Sequence, residues 1–223
     1  MKESITIKAL LDLSKTEAAP LFDGKTYPFE VLPEIGNYIV NKLGPSLDPE
    51  IFEKRGDNVW IAKTAKVASS ACINGPTVIF SGAEIRHCAF IRGNAIVGQG
   101  AVIGNSTELK NCVIFDMVQV PHYNYVGDSI LGYKAHMGAG AITANIKSDK
   151  SNIIIRCGRE NLETGLRKVG AVLGDFADVG CNSVLTPGVI IGRRTNIYPL
   201  SMVRGVIPED SILKSQGEIV KKC

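Results

Sequence analysis

The sequence predicts an all-β fold, a parallel β-helix of short stacked coils, and three observations carry that expectation. Ile61, Val67, Ile73, Ile79, Ile85, Ile91, Val97, Ile103, Leu109 and Phe115 occupy every sixth position. Small residues keep the same beat, at Ala65, Ala71, Thr77, Ala83, Ala89, Ala95, Ala101 and Thr107. The beat returns at Leu173, Val179, Leu185, Ile191, Ile197 and Val203. Repeats this short mark a β-helix, in which three hexapeptides close a coil of roughly 18 residues with the aliphatic side chain pointing inward. Coils then stack at the strand spacing of about 4.8 Å. A chain with 23 glycines and 6% aromatic residues suits a core of thin aliphatic layers.

Taken in order, residues 1–57 lack the repeat and carry Pro20, Pro28, Pro33, Pro45 and Pro49, so they form an arm with short helices. Ser14 with Glu17 offers a capping box. Val31, Leu32, Ile35, Tyr38, Ile39 and Leu43 predict a helix over 30–43 against the main domain, with Pro33 in its first turn. The β-helix is expected over 58–207. Its register slips near Cys112 and is carried on by Ile114, Val120, Val126, Leu131 and Met137. The beat is lost over 146–168, a loop excursion holding Lys147, Lys150, Arg156, Arg159, Arg167 and Lys168. Excursions of that length in a compact repeat are more often functional than accidental. Pro208 is expected to stop the repeat, and the tail 208–223 to cover the open edge of the last coil.

Composition narrows the function classes. A net charge of +3, with no basic run interleaved with aromatics, gives no support for nucleic acid as a partner. No apolar run approaches the ~20 residues of a membrane span. Cys72, Cys88, Cys112, Cys157, Cys181 and Cys223 show no paired spacing, so reduced thiols in a cytoplasmic protein are expected. His87 reads as a surface residue. A zinc site of the gamma carbonic anhydrase type would need a histidine five residues after His122, where Gly127 stands, and no metal is expected.

The chemistry concentrates in Gln119–Asn145. Its strings PHYNYVGDS and GAGAITAN, followed by RKVGAVLGD, GVIIG and NIYP, resemble the acetyltransferase domain of the GlmU family, the bifunctional N-acetylglucosamine-1-phosphate uridyltransferase / glucosamine-1-phosphate acetyltransferases, and still more its archaeal sugar-1-phosphate relatives. The resemblance spans about 58–207. It implies a left-handed β-helix, a homotrimer, acetyl-CoA as cosubstrate and N-acetylation of an amino-sugar 1-phosphate. Carried over by position, the general base falls on His122, the glutamate that orients it on Glu108, and the asparagine near the acetyl group on Asn145. Sugar-phosphate contacts fall on Arg92, Lys110, Tyr125 and Lys150. His136 stands where the family has a sugar-contacting asparagine. Coenzyme contacts fall on Ala139, Cys181 and Lys214, with Pro199 replacing a small residue there. No uridyltransferase activity is expected, since residues 1–57 are too few for a nucleotide-binding domain.

The residues supply a partial check of their own. Arg92 and Lys110 each follow an inward residue and lie 18 apart, so a regular solenoid stacks them. Two stacked cations repel unless an anion lies between them, and a phosphate would supply it. A histidine suits the removal of an amine proton near neutrality, and N–H groups of the Gly138-Ala139-Gly140 turn are candidate oxyanion donors. Two other readings stay open: a non-catalytic trimeric scaffold for a separate nucleotidyltransferase, and an acetyltransferase for a nucleotide-linked amino sugar.

Overall fold

The computed structural model describes residues 2–158, 160–214 and 217–222. Arg159 and Cys223, named above, lie outside the described residues. From Val59 onward the chain winds as a β-solenoid of about nine turns, its strands pairing in parallel with those one coil away. The pairing forms three ladders and hence three faces. The first runs through Val59–Ala62, Thr77–Ile79, Ala95–Val97, Ala171–Leu173, Val189–Ile191 and Val206–Ile207. The second runs through Lys66–Val67, Glu84–Ile85, Val102–Asn105, Gln119–His122, His136–Met137, Asp178–Val179 and Asn196–Ile197. The third contains Cys72–Ile73, Phe90–Ile91, Ile142–Thr143, Val184–Leu185 and Met202–Val203. The long strands Glu108–Ile114 and Tyr125–Leu131 cross from the third face to the first.

The inward hexad residues form the core: Ile79, Ile91, Val97, Ile103, Leu109, Val126 and Leu131 are all fully buried. Phe115 departs from expectation. Ile114 takes the inward position opposite Val97, and Phe115 turns outward, its ring 5.9 Å edge-to-face from that of Phe22 in the arm.

The first face explains where the arm lies. Its outward residues Val78, Ile96, Val113, Ile130, Val172 and Ile190 are as buried as its inward ones, because residues 5–43 cover them with Ile5, Leu10, Phe22, Phe29, Ile35 and Ile39. Backbone bonds pin the arm down: Asp175 N–H donates to Leu10 O at 3.0 Å and Asp116 N–H to Lys15 O at 3.1 Å. The Asp175 carboxylate accepts the Asp12 N–H at 2.8 Å. Within the arm a helix runs through Ile35–Tyr38, Ile39–Leu43 and Gly44–Ser46, its middle wound as a π-helix. It starts after Pro33, and Pro28–Val31 is a separate 3-10 turn. Ser14 is no cap. Asp12 caps the turn Leu13–Lys15 by accepting the Ser14 N–H at 3.0 Å.

At the far end the ladder continues past Pro208: Ser211–Leu213 stacks in parallel on Asn196–Ile197, and only Ile219–Lys221 then turns back antiparallel over it. Pro208 forms a corner there, since Thr195 Oγ1 donates to its carbonyl at 2.6 Å. The five described cysteines are free thiols, and burial pushes that of Cys112 up to about 12.

The dependence of the first face on the arm is measurable. Ile130→Ala is expected to cost about 2–5 kcal/mol in denaturant unfolding, the range for an aliphatic side chain deleted from a core; a change below about 1 kcal/mol would mean that the arm does not seal this face.

Candidate active site

From Phe80 onward, apart from the excursion, the corners of the solenoid are turned at positive φ. Along the corner between the second and third faces these are Cys88, Ser106, Tyr123, Gly140, Asn182 and Leu200. Their N–H groups donate to the residue before the corner residue one coil away: Gly140 to His122 O at 3.0 Å, Asn182 to Ala139 O at 2.8 Å and Leu200 to Cys181 O at 2.9 Å. His122, Ala139 and Cys181 therefore stand in one column. Buried Asn124 fixes it, accepting the His122 N–H at 3.1 Å and donating to Gly138 O and Ala141 O at 2.8 and 3.0 Å. The His122 ring is exposed and has no hydrogen-bond partner among the described residues. Within the Gly138-Ala139-Gly140 turn, the Gly138 and Gly140 N–H groups are spent on Val179 O and His122 O. Ala139 alone keeps a free N–H among the described residues.

A second group lies on the third face, beside that corner and extending to the next. Tyr125 pairs in register with Glu108, and Lys110 with Gly127. The Tyr125 ring lies flat across Gly127, whose missing Cβ would fall on the phenol. Its hydroxyl accepts the Asn145 side-chain N–H at 3.2 Å. At the corner sits Asp128, 3% exposed and at φ 49. Its carboxylate accepts Lys110 Nζ at 2.8 and 2.9 Å, Asn111 Nδ2 at 2.9 Å and a short bond from Asn145 Nδ2. Burial, and after it the Asp128 charge, holds the Tyr125 phenol above the ordinary tyrosine range. On its other side Asp128 borders a cavity of about 450 Å³ shared with Leu32, Pro33, Leu166, Arg167 and Lys168.

Three expectations change. Glu108 does not hold the His122 ring; it accepts Arg92 Nη1 at 2.8 Å. The Arg92–Lys110 stack needs no outside anion, because Arg92 is paired with Glu108 and Lys110 with Asp128. The excursion, expected as a loop, folds back on the solenoid. Its strands Ile154–Cys157 and Glu160–Glu163 form a hairpin whose Ile153, Ile155 and Cys157 are buried, with Ile153 and Ile155 packed on the solenoid corner at Gly188.

The remaining positions are scattered. His136 lies on the second face, its Nδ1 2.7 Å from Asp178 Oδ1, a contact that lowers the Asp178 pKa. Lys150 is exposed on the excursion. Lys214 shares a cavity with Pro199 and Leu200 at the top of the His122 column and lies 3.5 Å from Glu218. His87 is exposed, its Nδ1 2.6 Å from Ser70 Oγ. Asp128 and Asn111 were not assigned from the sequence; a polar residue at a corner looks there like any turn former. Among the described residues no group of three or more His, Cys, Asp or Glu is placed to hold a metal, and no helix is long and apolar enough to cross a membrane.

Comparison with known proteins places the chain among relatives. A family model described as the GMPPB C-terminal domain matches residues 73–175. The bifunctional protein GlmU of Methanococcus aeolicus is 31% identical over 175 residues, covering 70% of this chain and 42% of its own length. The chain is similar to the GlmU proteins over part of their length. A bifunctional sugar-1-phosphate nucleotidylyltransferase/acetyltransferase of Sulfurisphaera tokodaii is 34% identical over 115 residues, 52% of this chain and 29% of its own. The chain thus spans less than half the length of these curated relatives. Among solved structures, a hexapeptide transferase family protein from Anaplasma phagocytophilum aligns with a TM-score of 0.43 at 17% identity, over 74% of this chain and 80% of its own.

The carboxylate at the centre of the third-face group is open to direct test. Asp128→Asn removes the charge that helps raise the Tyr125 phenol, so that phenol is expected to titrate at lower pH. Ultraviolet difference titration against the same proteins carrying Tyr125→Phe isolates it, and an unchanged midpoint would remove Asp128 from that account.

Proposed function

We propose that this chain is an acetyl-CoA-dependent N-acetyltransferase acting on an amino-sugar 1-phosphate such as glucosamine-1-phosphate or galactosamine-1-phosphate. The observation that carries the reading is the exposed imidazole of His122, unpartnered among the described residues, in column with the Ala139 N–H that is free among them, and beside the Tyr125–Asn145–Lys110 group. A scaffold has no use for that set. The name of the Sulfurisphaera relative, which joins a sugar 1-phosphate to acetyl transfer, supports the substrate class.

In this mechanism His122 takes the proton from the sugar amine as nitrogen attacks the thioester carbonyl. Ala139 N–H steadies the tetrahedral oxyanion. Collapse breaks the C–S bond, and the imidazolium returns its proton to the leaving thiolate, so no covalent acyl-enzyme forms. Asp128 acts as a positioning residue: it fixes the Lys110 ammonium and the Asn145 amide, and through Asn145 the Tyr125 hydroxyl. Lys110, Arg92 and Tyr125 line the acceptor side, with Lys150 drawn in from the excursion. Cys181, Lys214 and His136 complete the assignment on the coenzyme and sugar sides, within a homotrimer.

Free-thiol release with acetyl-CoA and each amino sugar tests the proposal. The wild type is expected to release thiol with at least one of them, and His122→Ala to lose about 10²–10⁴-fold, the usual share of general-base catalysis. No release with either sugar, or full activity in His122→Ala, overturns it. Co-purification with a nucleotidyltransferase without coenzyme A binding would favour the scaffold instead.

A further inference from the structure

Above the Tyr125 group, where the hairpin of the excursion folds over the corner between the third and first faces, lies a cavity of about 320 Å³. Its charged lining residues are Lys147, Arg156 and Arg204, and no acidic residue borders it among the described residues. Such a volume suits a small ligand group. The cations reach it from two rigid supports. Arg156 sits on a strand between buried Ile155 and Cys157, so alternation along the strand turns it away from the side they bury. Its backbone rests on the corner at Gly205, where an added Cβ would lie 3.2 Å from the Arg156 carbonyl oxygen. Arg204 directly follows Met202–Val203 on the third face, next to buried Val203.

Their partners set these cations apart from those lower on the third face. Arg92 and Lys110 each hold a carboxylate. Here Lys147 donates to the neutral Asn152 O at 2.7 Å and Ser151 Oγ at 3.3 Å, and among the described residues Arg204 meets only the Met202 thioether at 3.7 Å. Arg156 has no side-chain partner among the described residues. Asp149, the nearest acid in sequence to Lys147, gives its carboxylate to the N–H and hydroxyl of Ser151. Lys147 feels the Asp149 carboxylate, but Arg156 and Arg204 have no carboxylate partner among the described residues, and two guanidiniums at one cavity repel unless an anion lies between them. Two guanidinium forks suit tetrahedral oxyanions, which they bind through paired N–H donors.

We propose that this cavity binds a phosphate-bearing ligand through Arg156, Arg204 and Lys147. Two sources share that chemistry, the nucleotide half of the acyl donor and the phosphate of the acceptor sugar. The choice between them rests on the acetyltransferase reading, whereas the anion site does not. Arg204 also lines the neighbouring cavity of Pro199 and Lys214, so the two pockets adjoin at the end of the His122 column.

Isothermal titration calorimetry on the full chain decides it, with adenosine 3′,5′-bisphosphate and glucosamine-1-phosphate as separate probes. Arg156→Ala and Arg204→Ala are each expected to weaken one probe on the order of tenfold, the scale of a hydrogen-bonded charge. Lysine at both positions is expected to restore part of the loss, which a purely structural effect would not do. A loss confined to the bisphosphate assigns the donor, and one confined to the sugar phosphate assigns the acceptor. Wild-type protein that binds neither probe, or equal binding across wild type, alanine and lysine variants, overturns the site. Phosphate binding that survives in a protein without thiol release would sink the acetyltransferase reading and leave this one standing.

Discussion

Everything in this molecule follows from the need to close each coil and stack it on the last with every backbone N–H satisfied. A coil turns three corners, and beyond the first coil they are made by residues held at positive φ, a conformation that glycine, asparagine and aspartate tolerate best. Once the corners are fixed, any residue has a defined neighbour one coil up and one coil down. That is why His122, Ala139 and Cys181, separated by 17 and 42 positions in sequence, share an edge. It also explains why the turn near His122 has so little freedom as an anion hole: two of its three N–H groups are the stacking bonds themselves.

An irregularity of that stacking produces a dense side-chain network. Between the third and first faces, four steps take Ile91 to Ala95, but three take Leu109 to Cys112 and Val126 to Ser129. The shortened corner occurs in the two coils directly beneath the excursion. It places Asn111 and Asp128 at φ 50 and 49, with the Asp128 side chain folded under the backbone instead of into water. A buried carboxylate is tolerated only when its lone pairs are filled. Lys110, Asn111 and Asn145 fill them, and these donors are thereby held still. Residues in uncommon backbone regions cluster at functional sites for this reason: the surroundings that hold the strain also hold the side chains around it.

The fold was legible because its determinant is periodic. Hexad spacing names the inward residues down to the slip at Ile114, and the limits of the excursion follow from where the beat fails. The position of the arm was written in the same stretch but in another form. The strands Thr77–Ile79, Ala95–Val97, Ala171–Leu173 and Val189–Ile191 are buried at every residue, whereas Lys66–Val67, Glu84–Ile85 and Asn196–Ile197 alternate. A strand covered on both sides reads as a continuous apolar run, so the run itself marks the face that another segment must cover. Asp128 could not be read in this way. Its role depends on a corner one residue short and on an amide 17 positions later, neither of which a local pattern displays. The pairing of Glu108 with Arg92 is hidden for a related reason, since it joins side chains 16 positions and one coil apart.

Charge is distributed according to what each part of the fold permits. On a solenoid face, side chains at equivalent positions in successive coils lie a strand spacing apart, so a column of like charges is unfavourable. Low on the third face the cations therefore come with carboxylates, Arg92 with Glu108 and Lys110 with Asp128, leaving that region near neutral. An insertion is free of this rule because its residues need not stack. Lys150, Arg156, Arg167 and Lys168 accordingly stand on the excursion without acidic partners among the described residues. Uncompensated positive charge, the requirement for drawing an anion from water, is thus concentrated on the segment that the repeat does not govern. The repeat beneath it supplies the rigid hydrogen-bonded geometry that reaction chemistry needs, and the excursion supplies the attraction.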